Sequence, residues 1–275
     1  MDSNSLFYSL DLVAGNGCTL SVEHRAALQT SMVLLKKNYK FHRVLLWGKI
    51  FGLNKDYFIA QGRGEDEMLD KKNLYSFNCM DWFLLPSATD SMVEEVSIAA
   101  KRRFIGDPSF VYERLETSEG QDGAVESEVV ATVSEETRLA VAVHQIDEEA
   151  SVVPRGAFVK SPRGLVHVNR SFGGLSHSEA KKLDNFLHFR KAKNPNQKSI
   201  LERGDLSPAI DFLDALSGDI PKGSWSLQYE CAGNVCVLRS LLWLGLTFFH
   251  LPMTPQHGYI YMGDGTQNLN LPFML

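Results

Sequence analysis

Gly48-Lys49, Gly263-Asp264-Gly265, Cys231 with Cys236, Ser224 and the acid pairs Glu94-Glu95 and Glu135-Glu136 are the residues whose types could do chemistry. A phosphate loop needs an earlier glycine, a Ser or Thr after the lysine, and a helix N-terminus whose amides face the phosphates. Position 43 is Arg and position 50 is Ile, so Gly48-Lys49 reads as part of a strand. A dinucleotide fingerprint needs a following helix, and too little chain follows Gly265 to form one. Gly223-Ser224-Trp225 lacks the glycine pattern of a nucleophile elbow. The acid pairs fall in expected first turns of helices, where solvated charge beside the positive end of the dipole explains them.

The eight histidines contain no HExxH pair, and Cys231 and Cys236 have no second cysteine pair at zinc-site spacing. If Gly233-Asn234 is a two-residue hairpin turn, Cys231 faces Cys236 across it, and two reduced thiols packed on a sheet are the expected state. Asn169-Arg170-Ser171 is a glycosylation sequon in form only for a chain expected to be intracellular. No catalytic residue, cofactor site or metal site is assigned from these patterns.

The chain has 275 residues, with 28 Lys+Arg and 33 Asp+Glu giving a net charge of −5, and 44% of its residues are hydrophobic. That composition suits a soluble globular protein with one large core or two modest ones. No dense basic tract is present to neutralise phosphates, so nucleic acid is not an expected partner. The most apolar window, Val235 to Phe249, is shorter than the roughly 18–20 residues of a membrane span and contains Arg239, so a membrane is not expected either. Residues 1–12 carry no basic segment followed by an apolar one, which agrees with an intracellular location.

Leu6, Leu10 and Val13 recur at helical spacing before Gly15-Asn16-Gly17, and Ser21 opens a second helix over about 22–38 carrying Leu28, Met32 and Leu35. The period then changes to that of strands. His42–Gly52 and Asp56–Gly62 read as a β-hairpin, followed by the apolar runs Leu74–Phe77 and Trp82–Leu85. Ser87–Arg103 reads as helix, with Ser91 and Glu94 as its capping box. From Glu113 to Ser127 acids among Gly and Ser predict a mobile acidic loop. A helix is expected over about 134–149, then strands at Val152–Pro154, Gly156–Lys160 and Gly164–Val168. Two helices are expected next, one opened by Ser176 and Glu179, the other running from Ser207-Pro208 to Gly218, with Lys191–Ser199 as a polar loop between them. Strands at Ser224–Cys231, Val235–Leu241, Leu246–His250 and Gly258–Met262 finish the chain.

The expected fold class is therefore α+β, with amphipathic helices packed on antiparallel β-hairpins and a C-terminal antiparallel meander. The organisation divides into 1–112, with the N-terminal helices and the aromatic hairpin, the loop 113–127, and an α+β region 128–275 that is either a second subdomain or one composite domain with 1–112. Aromatic residues crowd the strands: Trp47, Phe51, Tyr57 and Phe58 in the hairpin, and Trp243, Phe248, Phe249, Tyr259 and Tyr261 in the meander. One domain has few faces on which to hide two such sheets. Trp47, Phe51, Tyr57, Phe58, Trp243, Tyr259 and Tyr261 are thus the candidate subunit interface, with packing in the chain's own core as the alternative.

The stretch Leu46-Trp47-Gly48-Lys49-Ile50-Phe51-Gly52 followed by Asp56-Tyr57-Phe58-Ile59-Ala60 resembles the hairpin shared by the radial spoke head proteins of motile cilia. Ile105-Gly106-Asp107-Pro108-Ser109, Val153-Pro154-Arg155-Gly156-Ala157, Asp219-Ile220-Pro221-Lys222-Gly223-Ser224-Trp225 and Leu271-Pro272-Phe273-Met274-Leu275 carry the likeness through nearly the whole chain. One departure is Leu244, before Gly245, where the family usually has proline after the tryptophan. The resemblance implies a non-enzymatic structural subunit of the spoke head in the axoneme of motile cilia and flagella. It further implies packing against the larger paralogous head subunits that share the hairpin, a part in axoneme assembly, and indirect functional contact with the central-pair apparatus that relays signals to dynein.

Overall fold

The structure is a computed structural model and describes residues 1–17, 19–100, 102–119, 125–193 and 206–274. The helical spacing of Leu6, Leu10 and Val13 becomes the buried stripe of α1 (Leu6–Val13), and Gly17 follows with a left-handed φ of 80°. In α2 (Val22–Asn38) the Ser21 hydroxyl accepts the His24 N–H at 3.2 Å, while Leu28, Met32 and Leu35 are buried.

The hairpin forms as expected from β1 (Arg43–Ile50) and β2 (Tyr57–Arg63). β3 (Lys71–Ser76) and β4 (Phe83–Leu84) extend it, and α3 (Asp90–Ala99) follows. The cap of α3 is Thr89, which accepts from Met92 N–H, and not Ser91. Next come β5 (Val111–Glu119), β6 (Val125–Ser134), α4 (Glu135–Ala150), β7 (Val152–Pro154), β8 (Phe158–Lys160), β9 (Val166–Val168) and β10 (Phe186–His188). β11 (Trp225–Glu230), β12 (Val235–Ser240), β13 (Leu246–His250) and β14 (His257–Gly263) form the C-terminal meander.

Eight strands share one sheet in the order β11-β12-β13-β14-β1-β2-β3-β4. Every pairing in it is antiparallel except β1 with β14, where Gly48 lies opposite Tyr261. The fold class is α+β, and strands from both 1–112 and 128–275 meet at that parallel seam. Where β1 and β14 diverge, the Met1 nitrogen bridges them by donating to Leu46 O at 2.7 Å and Tyr259 O at 3.1 Å.

Alternation along β2 sends Tyr57 and Ile59 to one face of the sheet and Phe58 and Ala60 to the other. The first face packs on Leu139, Val143 and Ile146 of α4; the second packs on α1 and α2. β1 changes phase midway, because a bulge lies between Leu46 and Gly48. Val44 and Leu46 therefore face α1 and α2, while Trp47 and Ile50 face α4. Gly48 permits the bulge: its φ is 151°, and a Cβ there would stand 2.0 Å from Tyr261 O.

Three expectations need correction. The stretch Glu113–Ser127 does not read as loop throughout: β5 and β6 pair as a two-stranded ribbon, and residues 120–124 lie outside the described residues. Composition measured only what the stretch could bury, whereas a ribbon satisfies its backbone by its own ladder. Ser176 and Glu179 do form a reciprocal capping box, with Ser176 N–H 2.8 Å from Glu179 Oε2 and Glu179 N–H 3.2 Å from Ser176 Oγ. Only short 3-10 turns follow, Glu179–Lys181 and Leu183–Asn185, because Phe186–His188 is drawn into pairing with β7. Ser207-Pro208 likewise opens a turn and no helix, since neighbouring carbonyls serve other strands: Ala209 O accepts from Lys160 N–H and Asp214 O from His188 N–H. Of the polar loop Lys191–Ser199, the part from 194 lies outside the described residues.

The meander turn also differs from its expected form. Tyr229, not Cys231, stands opposite Cys236, because residues Cys231–Gly233 make a 3-10 turn in which Cys231 has a φ of 51°. At the family departure, Leu246 N–H bonds back to Trp243 O at 3.1 Å and Gly245 carries the positive φ of 105°.

Candidate functional site

Six of the seven candidate interface residues lie inside the chain's own core: Trp47, Tyr57, Phe58, Trp243, Tyr259 and Tyr261 are each less than 9% exposed. Phe51 is 38% exposed. The reason is the sheet order, which places β1, β2 and β14 centrally with α4 on one face and α1 and α2 on the other. The aromatic load does not imply an exposed surface, since this sheet is covered on both sides.

The polar ends of the buried rings explain why several are Tyr or Trp and not Phe, because a buried indole N–H or phenol needs a partner. Trp47 Nε1 donates to Asp147 Oδ1 at 3.3 Å and Tyr259 OH donates to the same oxygen at 2.8 Å. Lys71 Nζ takes the other oxygen at 2.6 Å. Burial alone would raise the Asp147 pKa, but the Lys71 and Arg63 charges outweigh it and hold the carboxyl at about 2. Burial lowers the Lys71 pKa despite its carboxylate partner. Arg63 completes the cluster, donating to Gln61 Oε1 at 2.9 Å, to Tyr259 OH at 3.3 Å and to Glu67 O, with its guanidinium 5.0 Å from the Phe189 ring centre.

A second carboxylate, Glu135, opens α4 and is fully buried. Its oxygens accept from Tyr57 OH at 2.6 Å, Ile105 N–H at 2.7 Å, Gly106 N–H at 2.6 Å and Asp107 N–H at 3.1 Å, and from Tyr112 OH. Burial pushes its pKa up, yet these donors together bring it below the usual carboxylate value. Burial and the same carboxylate push the Tyr57 phenol well above its ordinary value. Arg138, one turn on, donates to Tyr112 OH at 2.8 Å and lies 4.1 Å from the Phe104 ring centre. The solvated reading of Glu135 is thus corrected: the acid ties hairpin, ribbon and the 105–107 loop to one helix end.

Both carboxylates are saturated by donors of the chain itself, so neither is placed to take a proton from a substrate. The nearest approach to a catalytic pair is His188 with Asp219, joined at 2.8 Å, beside a cavity of about 300 Å³. Asp219 also accepts Trp225 Nε1–H at 2.7 Å, and among the described residues no hydroxyl or thiol bonds to His188. The pair fastens the segment before β11 to β10. Among the described residues no cluster of three or more His, Cys, Asp or Glu could hold a metal, and no helix is long and apolar enough to cross a membrane.

The remaining predicted rings have similar roles. Trp243 Nε1 donates to Glu149 Oε2 at 2.8 Å, and Tyr261 OH accepts Gly265 N–H at 2.9 Å. Phe58 packs with α1 and α2, 4.6 Å from the His24 ring. Lys49 Nζ sits 4.8 Å from the Phe51 ring centre while paired with Asp56 at 2.9 Å. Sequence reasoning singles out Glu135 but reads it as solvated, and it misses Asp147; the signal for both is the Tyr and Trp residues crowding the strands, whose polar ends call for acceptors once buried.

A two-faced sheet joined at a β1–β14 seam, with its aromatic hairpin held by buried carboxylates, ties the two halves of the chain together. The chain belongs to the radial spokehead-like protein family, whose model matches residues 3–156. Across the full length of both chains it is 63% identical to the radial spoke head protein 9 homolog of Danio rerio, 51% to that of Homo sapiens and 49% to that of Xenopus tropicalis.

Proposed function

We propose that this chain is a structural, non-enzymatic subunit of the radial spoke head in the axoneme of motile cilia and flagella. The observation that carries the reading is full-length identity of 49–63% to radial spoke head protein 9 homologs, extending through both halves of the sheet. The buried carboxylates support it, because the groups that could have been catalytic hold the sheet to α4. In this role the chain packs with the larger head subunits that share its hairpin, contributes to axoneme assembly, and helps pass central-pair signals to dynein. Seven aromatic positions were candidates for that packing; Phe51 is the one whose ring remains accessible in the single chain, beside Leu53 at 65% exposure.

Affinity isolation of the tagged full-length protein from ciliated cells, with crosslinking and mass spectrometry of axonemal extracts, tests the proposal. Recovery of other spoke-head subunits with crosslinks at Lys49 or Lys55 is expected. A soluble protein absent from axonemes overturns it.

A further inference from the structure

The two edges of the eight-stranded sheet are built differently. β4 is two residues long and is followed by Pro86, both of which discourage another strand from pairing. β11, at the other edge, runs for six residues, Trp225–Glu230, with no proline, no lysine and no bulge in its register with β12. Leu241 N–H donates to Ser224 O at 2.9 Å, which fixes the phase of this ladder. Ser226, Gln228 and Glu230 therefore exchange bonds with β12, and Trp225, Leu227 and Tyr229 turn their N–H and C=O groups outward. Among the described residues no backbone bond reaches those outward groups.

We propose that β11 accepts an extended strand from a partner subunit, which adds to the sheet as a ninth strand. The side chains along the edge define that strand. Leu227 and Tyr229 lie over the α4-side core beside Trp225, whereas Ser226, Gln228 and Glu230 occupy the other face. The incoming segment therefore alternates apolar and polar residues, with its apolar row on the Trp225–Leu227–Tyr229 side. At the Trp225 end the edge runs into the cavity of about 300 Å³, whose lining includes Ile220, Leu242 and Leu271, and Ile220 is 92% exposed. Much of the rest of that lining is polar and charged, with Glu149, His188, Arg190, Lys193 and Asp219, so the apolar row of the added strand does not continue into it. This inference rests on the assembly role proposed above and names one of its surfaces.

The test uses the tagged full-length chain in ciliated cells, as wild type, Leu227→Ala and Leu227→Pro. Alanine keeps the outward N–H; proline removes it without touching the β12 ladder. Leu227→Ala is expected to enter axonemal spoke heads within about twofold of wild type, and Leu227→Pro at least about tenfold less, while the purified proline variant still unfolds cooperatively. Equal incorporation of the proline variant overturns strand addition. Should that variant fail to fold, wild-type amide exchange decides: the Leu227 and Tyr229 amides exchange in the free chain and are protected in isolated spoke heads, and exchange that persists in spoke heads overturns the proposal. A wild-type homodimer in solution that Leu227→Pro renders monomeric makes the occupant a second copy and overturns the partner strand. Absence of the wild type from axonemes removes the assembly role itself, whereas normal incorporation with unprotected edge amides sinks strand addition alone.

Discussion

Tyr57 and Glu135, 78 positions apart in the chain, meet at 2.6 Å with the phenol donating to the carboxylate. The contact joins the turn end of the aromatic hairpin, where Tyr57 opens β2, to the first residue of α4. A carboxylate at that helix position gains from the dipole as well as from its donors, so hairpin and helix end are held by one charge-assisted cluster. Trp47 and Tyr259 likewise reach Asp147 at the far end of α4, where the charges of Lys71 and Arg63, and not the helix dipole, stabilise the carboxylate.

Tyr57→Phe removes one donor and leaves four on Glu135, so urea denaturation should show a loss of about 1.5–3 kcal/mol, the range for a hydrogen bond to a charged group. Glu135→Gln should cost more, because its amide N–H₂ opposes groups that donate. A Glu135→Gln variant as stable as Tyr57→Phe would show that the carboxylate is not the hub.

Asp147→Ala leaves Lys71 and Arg63 buried without their carboxylate. Breaking such a pair costs about 3–5 kcal/mol. Replacing the pair together, as Asp147→Leu with Lys71→Met, should be less harmful than the single change, since no uncompensated charge remains. Thermal denaturation of the single and double variants checks the order, and additive losses would contradict it.

The elements were legible where local pattern and tertiary need agreed. Ser21 with Leu28, Met32 and Leu35 announces α2, and the β-branched and aromatic runs announce β1, β2 and the meander. They were illegible where tertiary pairing won over local signal: the capping box at Ser176 is real, yet the chain leaves the helix to supply β10. The bulge at Gly48 was hidden because a glycine before lysine looks like any strand residue until Tyr261 is known to lie against it. Of the site, the aromatic positions were visible and their burial was not. Which sheet face is covered depends on strand order, and the parallel β1–β14 seam is a contact between residues more than 200 positions apart.

Gly48→Ala should destabilise the chain by about 3 kcal/mol or more, because it adds a left-handed strain to a direct clash at the seam. Gly164→Ala, where φ is also positive but nothing lies within 4 Å of the new Cβ, isolates the strain alone. Equal losses for the two variants in a denaturant titration would argue against the close approach at Tyr261.

His250 is fully buried, donating Nδ1–H to Gln256 O at 2.9 Å and accepting Leu175 N–H at Nε2 at 3.1 Å. That tautomer is neutral, and burial holds the pKa at about 4, below the ordinary 6.5. The unfolded chain thus binds the extra proton first as pH falls, so His250 stabilises the fold above pH 6.5 and loses that contribution between about 6.5 and 4. At 1.36 kcal/mol per pH unit the loss is roughly 3 kcal/mol. His250→Gln should flatten the stability profile in that window relative to wild type, with His257, opposite it in the ladder, titrating in both proteins. An unchanged slope would place the titration elsewhere.

Phe51 separates assembly from folding as the buried rings cannot. Trp47→Ala opens a large hole in the core and removes a donor from Asp147, with an expected loss of about 3–5 kcal/mol. Any loss of partner binding by that variant would follow from the fold. Phe51→Ser changes a ring that is 38% exposed and touches Lys49, so stability should move by less than about 1 kcal/mol. If the hairpin tip meets a partner subunit, recovery of spoke-head proteins with Phe51→Ser falls several-fold at unchanged thermal midpoint, and adding Leu53→Ser deepens the loss. Full recovery by the double variant would exclude the tip and leave the sheet edge at β11 as the surface to examine.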